Sequence, residues 1–424
     1  MRIGLGRSLT SAELTAPGGL LVIAAGQLVG QTAPAQPVKI TLDAAGIGVT
    51  GFTGRFTAVR FVPVPPAVAP APVSPTAPPP APANPVGYGT RRYRGEFEVV
   101  LNKERKLSVV NVVNLEEYLL SVVPREMQAD WPLEALKAQA VAARTYALSH
   151  LGRWAAEGFD LVDSTTDQEY AGLTAERSTT NAAVWLTRGQ ALTYNGQYVN
   201  AMYHSSSGGH TENNEVIYNS VPVPYLRGVV DYDNVPGNTR YSWQFTFTRD
   251  QLSQKVQGAG YSVGAVSGVA PAGTVGSSGR PSAWSIAGLL SSIKLTGQQF
   301  RSLLDLPSSP RTVTVQEGGT TNATRTYQAT DTVTVMGPDG TLQTRTVTGT
   351  AIAVASGAPA SAAGAVVAVS GNQVSLPAGI VVSGGGYGHA VGMSQWGAYG
   401  MAQLGTKYVE ILTHYYTGAR VENR

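Results

Sequence analysis

Arg144 stands where a charge needs an explanation. With residues placed at about 100° each, Leu133, Leu136, Ala140, Ala147 and Leu148 form one apolar stripe, and Arg144 falls near its centre with Lys137 beside it. A buried guanidinium costs several kcal/mol without a partner. The nearest upstream acid that does not simply face solvent is Glu126, in Val122-Val123-Pro124-Arg125-Glu126-Met127. A structural ion pair and a functional acid both fit this spacing. A general acid needs its protonated form favoured, whereas an arginine in contact favours the ionised form. If Glu126 is such an acid, Arg144 is expected to hold a ligand group or another acid instead of pairing tightly with it.

Other side chains with chemical potential are clustered further on. His204 and His210 flank Ser205-Ser206-Ser207-Gly208-Gly209. No G-x-S-x-G elbow surrounds the serines, so Ser207-Gly208-Gly209 reads as a tight turn and not as a nucleophile. Gly384-Gly385-Gly386-Tyr387-Gly388-His389 lacks both G-x-x-x-x-G-K-[ST] and G-x-G-x-x-G, which argues against a phosphate loop. Its glycines instead let the backbone approach a neighbour closely, presenting Tyr387 and His389 ahead of a short helix that opens with Ser394 and Gln395. Aromatics at Tyr170, Tyr203, Tyr387, Trp396 and Tyr399 can stack on sugar rings or pack in the core.

Composition narrows the chemistry. Charged residues make up 13% of 424 and the formal net charge is +3, with no basic stripe, so nucleic acid is not an expected partner. Cysteine is absent, which removes disulfides, Cys-ligated zinc, iron–sulfur clusters and thiol nucleophiles together. The longest strongly apolar run, Leu20 to Ala25, is far short of the roughly 18 to 20 residues that span a bilayer, and no leader is read. An integral membrane segment is not expected.

The elements that must carry these residues follow. Residues 1–60 alternate short apolar runs with Gly and read as a small β unit. Pro63–Pro85 holds eleven prolines and no charge, so residues 61–90 read as an extended linker or loop. Tyr93–Val113 has the period of strands. Asp130 can cap a helix whose first turn holds Pro132 and Glu134 and which runs to about His150. Gly258–Ser282 reads as a long loop. Arg311–Thr350, rich in Thr and Val around Pro338-Asp339-Gly340, reads as a β insertion with a hairpin, and Ala351–Gly371 reads as loose. Short helices are expected from Ser394 to Gly405 and from Lys407 to Gly418.

Several of these blocks carry a resemblance. Glu117–Leu148 (EYLLSVVPREMQADWPLEALKAQAVAARTYAL) strongly resembles the signature of the stage II sporulation protein D family, whose members include peptidoglycan lytic transglycosylases and amidase enhancers. The likeness continues in Ser164–Gly172, Thr187-Arg188-Gly189, Tyr203–Thr211, Phe300–Ser308 and Gly386–Gly400.

The resemblance implies that Glu126 is the catalytic acid/base. It also implies that the C-terminal Gly block lies beside that glutamate, and it makes Arg144, Gln139, Tyr203, Ser207, Tyr387, His389 and Gln395 candidates for substrate binding. Some sporulation members bind zinc through His-x-x-Cys-x5-Cys; aligned on His204, the cysteine positions are Ser207 and Asn213, so no metal and no other cofactor is expected. Hydrolysis would need a second carboxylate. Asp163, Asp167, Glu169 and Glu212 are candidates that no motif singles out.

The expected fold is α+β: a mixed sheet with a catalytic helix, an appended β-rich N-terminal unit and a β insertion. The catalytic core spans 91–256 and 379–424. Residues 257–378 hold the Gly-rich loop and Thr-rich insertion, with a core-like segment near 284–308. Lytic cleavage of peptidoglycan glycan strands, outside the cytoplasm and with any leader already removed, is the expected function. A noncatalytic wall-binding partner that stimulates an N-acetylmuramoyl-L-alanine amidase is the alternative, with the amidase or a membrane-anchored recruiter as protein partner.

Overall fold

The alternation over Tyr93–Val113 becomes two paired strands, Glu96–Leu101 and Leu107–Val112. The computed structural model describes residues 1–66, 77–316 and 379–424, with the backbone of six strands between 320 and 375. These residues form an α+β fold. The chain divides into two compact units, one of Met1–Tyr203 with Ala398–Arg424 and one of His204–Gly397.

In the first unit a seven-stranded sheet runs Leu161–Val162, Arg2–Leu9, Leu107–Val112, Glu96–Leu101, Ala58–Pro63, Leu20–Ala24, Gln27–Gln31. It is mixed, because Arg2–Leu9 pairs antiparallel with Leu107–Val112 but parallel with Leu161–Val162. Strands from the first 60 residues thus share one sheet with strands that follow the Pro-rich segment. Val59 and Phe61 face inward opposite Val99 and Phe97, and each such burial contributes roughly 1.5–3 kcal/mol. Leu107–Val112 is covered on both faces, with Val110 against Phe159 and Val162. A five-stranded sheet built from 11–15, 38–49 and 86–93 packs into the same core.

Three helices pack beside these sheets: α1 (Leu115–Glu126), α2 (Leu133–Ser149) and α3 (Ser178–Leu186). The sequence reading had no α1, because Pro124 and the break to Trp131-Pro132 look like loop punctuation. Proline is tolerated because it sits in the last turn, while Asn114 caps the start by accepting the Glu116 amide at 2.9 Å. The expected cap of α2 is corrected: Asp130 is exposed, and Pro132 holds the N-cap position with no side-chain bond. The single apolar stripe is corrected as well. Leu133 is 42% exposed, while Ala135, Ala138, Val141, Ala142 and Ala143 are buried, so α2 is enclosed on most sides and small residues let its neighbours close in.

In the second unit, Trp243–Thr248 and Thr312–Gln316 flank Gly379–Gly384 in one sheet, and Val266–Val275, Pro281–Gly288 and Ser292–Thr296 form another. The loop expected over Gly258–Ser282 therefore contains a ten-residue strand, Val266–Val275, whose Gly, Ala and Pro hide its pairing with Pro281–Gly288. Helices Arg249–Gly258 and Gly297–Leu304 each open on a capping box, Thr248 with Gln251 and Thr296 with Gln299. Their apolar faces meet around Trp284 and Phe300, whose rings stack with centroids 5.2 Å apart. Thr332–Met336 pairs with Leu342–Thr346, though Pro338-Asp339-Gly340 itself lies outside the described residues. Ala351–Val354, expected to be loose, is a strand paired with Thr324–Tyr327, and 355–371 lie outside the described residues. The C-terminal helices are Gln395–Gln403 and Tyr408–Tyr415. Among the described residues no helix is long and apolar enough to cross a membrane.

The charge inside α2 is paired. Arg144, 1% exposed, donates from Nε and Nη2 to the two Glu116 oxygens at 2.9 and 2.6 Å, and its remaining donors reach the carbonyls of Ala140, Val184 and Gln190. Arg144→Ala should destabilise the protein by about 3 kcal/mol, since it strands Glu116 and two distant carbonyls. Arg144→Lys should recover only part of this, because an ammonium has three donors for five acceptors. Urea unfolding of the three proteins checks both.

Candidate functional site

Glu126 is the last residue of α1. Met127 turns to extended backbone at φ −127° and ψ 149°, so the half-buried carboxyl stands where the helix ends. Next to it in the chain, Arg125 is held outward by Glu169 at 2.7 Å, and Arg144 is committed to Glu116.

Two phenols lie within electrostatic reach of Glu126. Burial holds both Tyr118 and Tyr203 well above the ordinary tyrosine range, and the Glu126 charge adds to this in each case. Both therefore remain protonated. Fully buried Gln168 links them: its Oε1 accepts from the Tyr118 hydroxyl at 3.2 Å, and its Nε2 donates to the Tyr203 oxygen at 3.0 Å and to the Ala143 carbonyl at 3.2 Å. Gln168 and Tyr118 were not picked out from the sequence, although both sit inside the resembling blocks.

The expected binding residues of this unit separate. Arg144 has all five donors engaged inside the protein, which leaves none for a ligand and corrects its candidacy. Gln139 is fully buried within α2. Tyr203 is half-buried, whereas Tyr170 is a core residue that donates to Asn111 at 2.7 Å and packs on Tyr118. Trp131 and Tyr399 are half-buried and face each other at 5.0 Å.

Of the candidates for a second carboxylate, Asp167 accepts from Arg153, the Trp154 indole and the Val162 amide at 2.6 to 2.9 Å. Glu212, in the other unit, is fully buried in a nest of Ser277 and Ser278 amides and hydroxyls. Both are occupied in holding structure. Asp163 is half-buried and raised by that burial, with Arg91 opposing from 3.6 Å.

The serine turn and the C-terminal glycines, both in the second unit, form one construction. Ser206 and Tyr387 exchange backbone bonds at 3.1 and 2.8 Å. The approach depends on Gly208 at φ +72°, where an added Cβ would lie 2.5 Å from the Gly385 carbonyl carbon. Asp233 accepts from the Ser206 hydroxyl and from the Gly208 and Gly209 amides at 2.6 to 2.8 Å, and Asp231 accepts from Ser207 Oγ at 2.5 Å. Ser207 is thus a turn residue, its proton given to Asp231. Fully buried Arg280 donates to the Ser207 and Gly385 carbonyls, both at 2.7 Å. Burial, reinforced by Arg311 and opposed by Glu212, Asp233 and Asp231, brings its pKa down to about 9, so it stays charged at neutral pH.

Tyr387 is 45% exposed with the Arg240 guanidinium 4.9 Å from its ring centre. His389 accepts the Val391 amide on Nδ1 at 3.1 Å, so its other nitrogen carries a proton. Its ring lies 5.3 Å from that of His204 and 6.0 Å from that of Tyr218. Gln395 is buried at the start of its helix, where Ser394 Oγ accepts the Gly397 amide at 3.1 Å. Ser207 Oγ is engaged with Asp231, and Asn213 Oδ1 takes the Gly228 amide at 2.8 Å.

A family model described as stage II sporulation protein matches residues 103–194. An uncharacterized protein of Brachyspira hyodysenteriae is 32% identical over 316 residues, 74% of this chain and 68% of that protein. The amidase enhancer of Bacillus subtilis is 33% identical over 309 residues, 71% of this chain but only 39% of the enhancer. Stage II sporulation protein D of Bacillus subtilis is 28% identical over 331 residues, 74% of this chain and 75% of that protein.

His204 is buried with Nδ1 on the Val391 carbonyl at 3.2 Å and no partner for Nε2 among the described residues. Burial first, then His389 and Arg280, hold it well below its ordinary 6.5. Because the unfolded chain takes up this proton more readily, stability is fully present above about pH 6.5 and is lost as pH falls below it, by up to about 1.4 kcal/mol per pH unit. His204→Asn should flatten the dependence of unfolding free energy on pH between 6.5 and 5. An unchanged slope would remove His204 as its source.

Proposed function

The chain belongs to the stage II sporulation protein D and amidase-enhancer family, and on that footing we propose that it is a cell-wall protein that cleaves peptidoglycan glycan strands without water, with Glu126 as general acid and base. The observation that carries this reading is the position of Glu126, half-buried at the end of α1 and within electrostatic reach of two phenols that burial keeps protonated. Arg144 is not the group that would hold this carboxyl ionised, since its donors are spent on Glu116 and on backbone carbonyls. The end of α1 also favours positive over negative charge, which suits a carboxyl that must carry a proton before the reaction.

The steps balance with one carboxyl. Protonated Glu126 gives its proton to the glycosidic oxygen, and the bond from that oxygen to the muramic acid C1 breaks. The carboxylate then takes the proton of the C6 hydroxyl as that oxygen bonds to C1, closing a 1,6-anhydro ring and restoring the acid. Water and a second carboxylate have no part, which agrees with Asp167 and Glu212 being held by other groups. The Tyr118–Gln168–Tyr203 chain supplies neutral hydroxyls near the reacting acid. The site would act outside the cytoplasm, where the glycan strands are.

A second reading is favoured by the 33% identity to a protein named amidase enhancer: a wall-bound partner that stimulates an amidase without cleaving glycan itself. The two readings separate on one residue. Glu126→Gln should lower release of anhydro-ended fragments from purified strands by about 10³-fold, read by mass spectrometry, with folding unchanged. Full cleavage by the variant, or products heavier by one water, would overturn the assignment. Stimulation of an amidase that survives the substitution, with no cleavage by the parent, would establish the second reading.

A further inference from the structure

We propose that the exposed face around Tyr387 is a binding subsite for a carboxylate-bearing saccharide, with the Tyr387 ring under the sugar and Arg240 and Arg301 taking the carboxylate. The proposal rests on the glycan reading above and adds the chemical group that is recognised.

The ring is presented rigidly. Tyr387 is fixed through both backbone groups to Ser206 and lies between Gly386 at φ +84° and Gly388 at φ +113°. Yet it is 45% exposed, and Tyr218 nearby is 41% exposed. Large rings left in water at fixed positions are what a pyranose face stacks on, with little ordering cost at binding.

The charges are unbalanced in the same place. Of the four arginines set around this turn, Arg280 and Arg311 face the buried acids Glu212 and Asp233. Arg240 lies over the Tyr387 ring and Arg301 is within electrostatic reach of the Tyr387 and Tyr218 phenols, and neither forms an ion pair with a carboxylate among the described residues. Arg301 spends only Nε, on the Leu306 carbonyl at 3.1 Å, and neither terminal nitrogen donates to a described residue. A neutral sugar requires no guanidinium. A carboxylate fits the planar fork through two parallel bonds, and the aromatic ring behind Arg240 fixes its plane.

The carboxylate can sit on the muramic acid itself or on an attached peptide, and the test distinguishes them. The Glu126→Gln protein, which keeps strands intact, is titrated calorimetrically with soluble glycan strands with and without peptides, each with free or amidated carboxylates. Binding should weaken about tenfold on amidation, in the peptide-free pair if the sugar carboxylate is recognised and only in the peptide-bearing pair if the peptide is. Adding Arg240→Gln and Arg301→Gln should abolish that discrimination, and Tyr387→Ala should weaken every strand alike. Amidation without effect on the parent overturns the proposal and leaves the glycan reading standing, and this arm needs no further variant to fold. Tighter binding of a poly(glycerol phosphate) than of any carboxylated strand also overturns it. Failure to bind any strand overturns both.

Discussion

One buried ion pair ties together four segments of the first unit. Arg144 on α2 meets Glu116 at the start of α1, the Val184 carbonyl of α3 and the Gln190 carbonyl of the following strand. Glu116 also accepts the Gly189 amide at 3.1 Å. A pair so enclosed is costly to desolvate and gives stability only when every donor and acceptor is satisfied. Here all five guanidinium donors are. Four segments separated in sequence are thereby fixed to one point, and the direction in which α1 delivers Glu126 follows from it.

The pair also keeps Arg144 away from Glu126. In a low-dielectric setting a cation acts on the carboxyl it touches far more than on one farther off. Because the guanidinium fork is filled by Glu116, Arg144 does not reach Glu126, which stands at the helix end within electrostatic reach of two neutral phenols. Of the three glutamates on this helix, Glu116 holds structure, and the proton exchange proposed for this protein falls to Glu126.

The second unit repeats the device. Arg280 gathers the carbonyls of Ser207, Gly385 and Ser309 around a fully buried guanidinium, while Asp231 and Asp233 gather the hydroxyls and amides of the serine turn. Among the described residues no acid bonds Arg280 directly, and its charge is met by carbonyl dipoles and by the fields of Glu212, Asp233 and Asp231. This fixes the backbone of Tyr387.

The sequence by itself determined the α+β class, the family and the residues at issue. Arg144 was visible because a charge broke an apolar period, and the Gly-rich blocks because only glycine permits such close approach. Pairing was not visible. Glu116 lies 28 residues from Arg144, and nothing in the spacing prefers it to Glu126. The helix α1 was hidden by a proline that is harmless in a last turn, and the strand Val266–Val275 by small residues whose pattern emerges only beside Pro281–Gly288. Likewise, Gln168 and Asp233 are ordinary polar residues until the chain brings hydroxyls and amides onto them. Periodicity and backbone freedom are local and can be read along a chain. The satisfaction of buried charge is a sum over distant neighbours, and only the tertiary structure performs it.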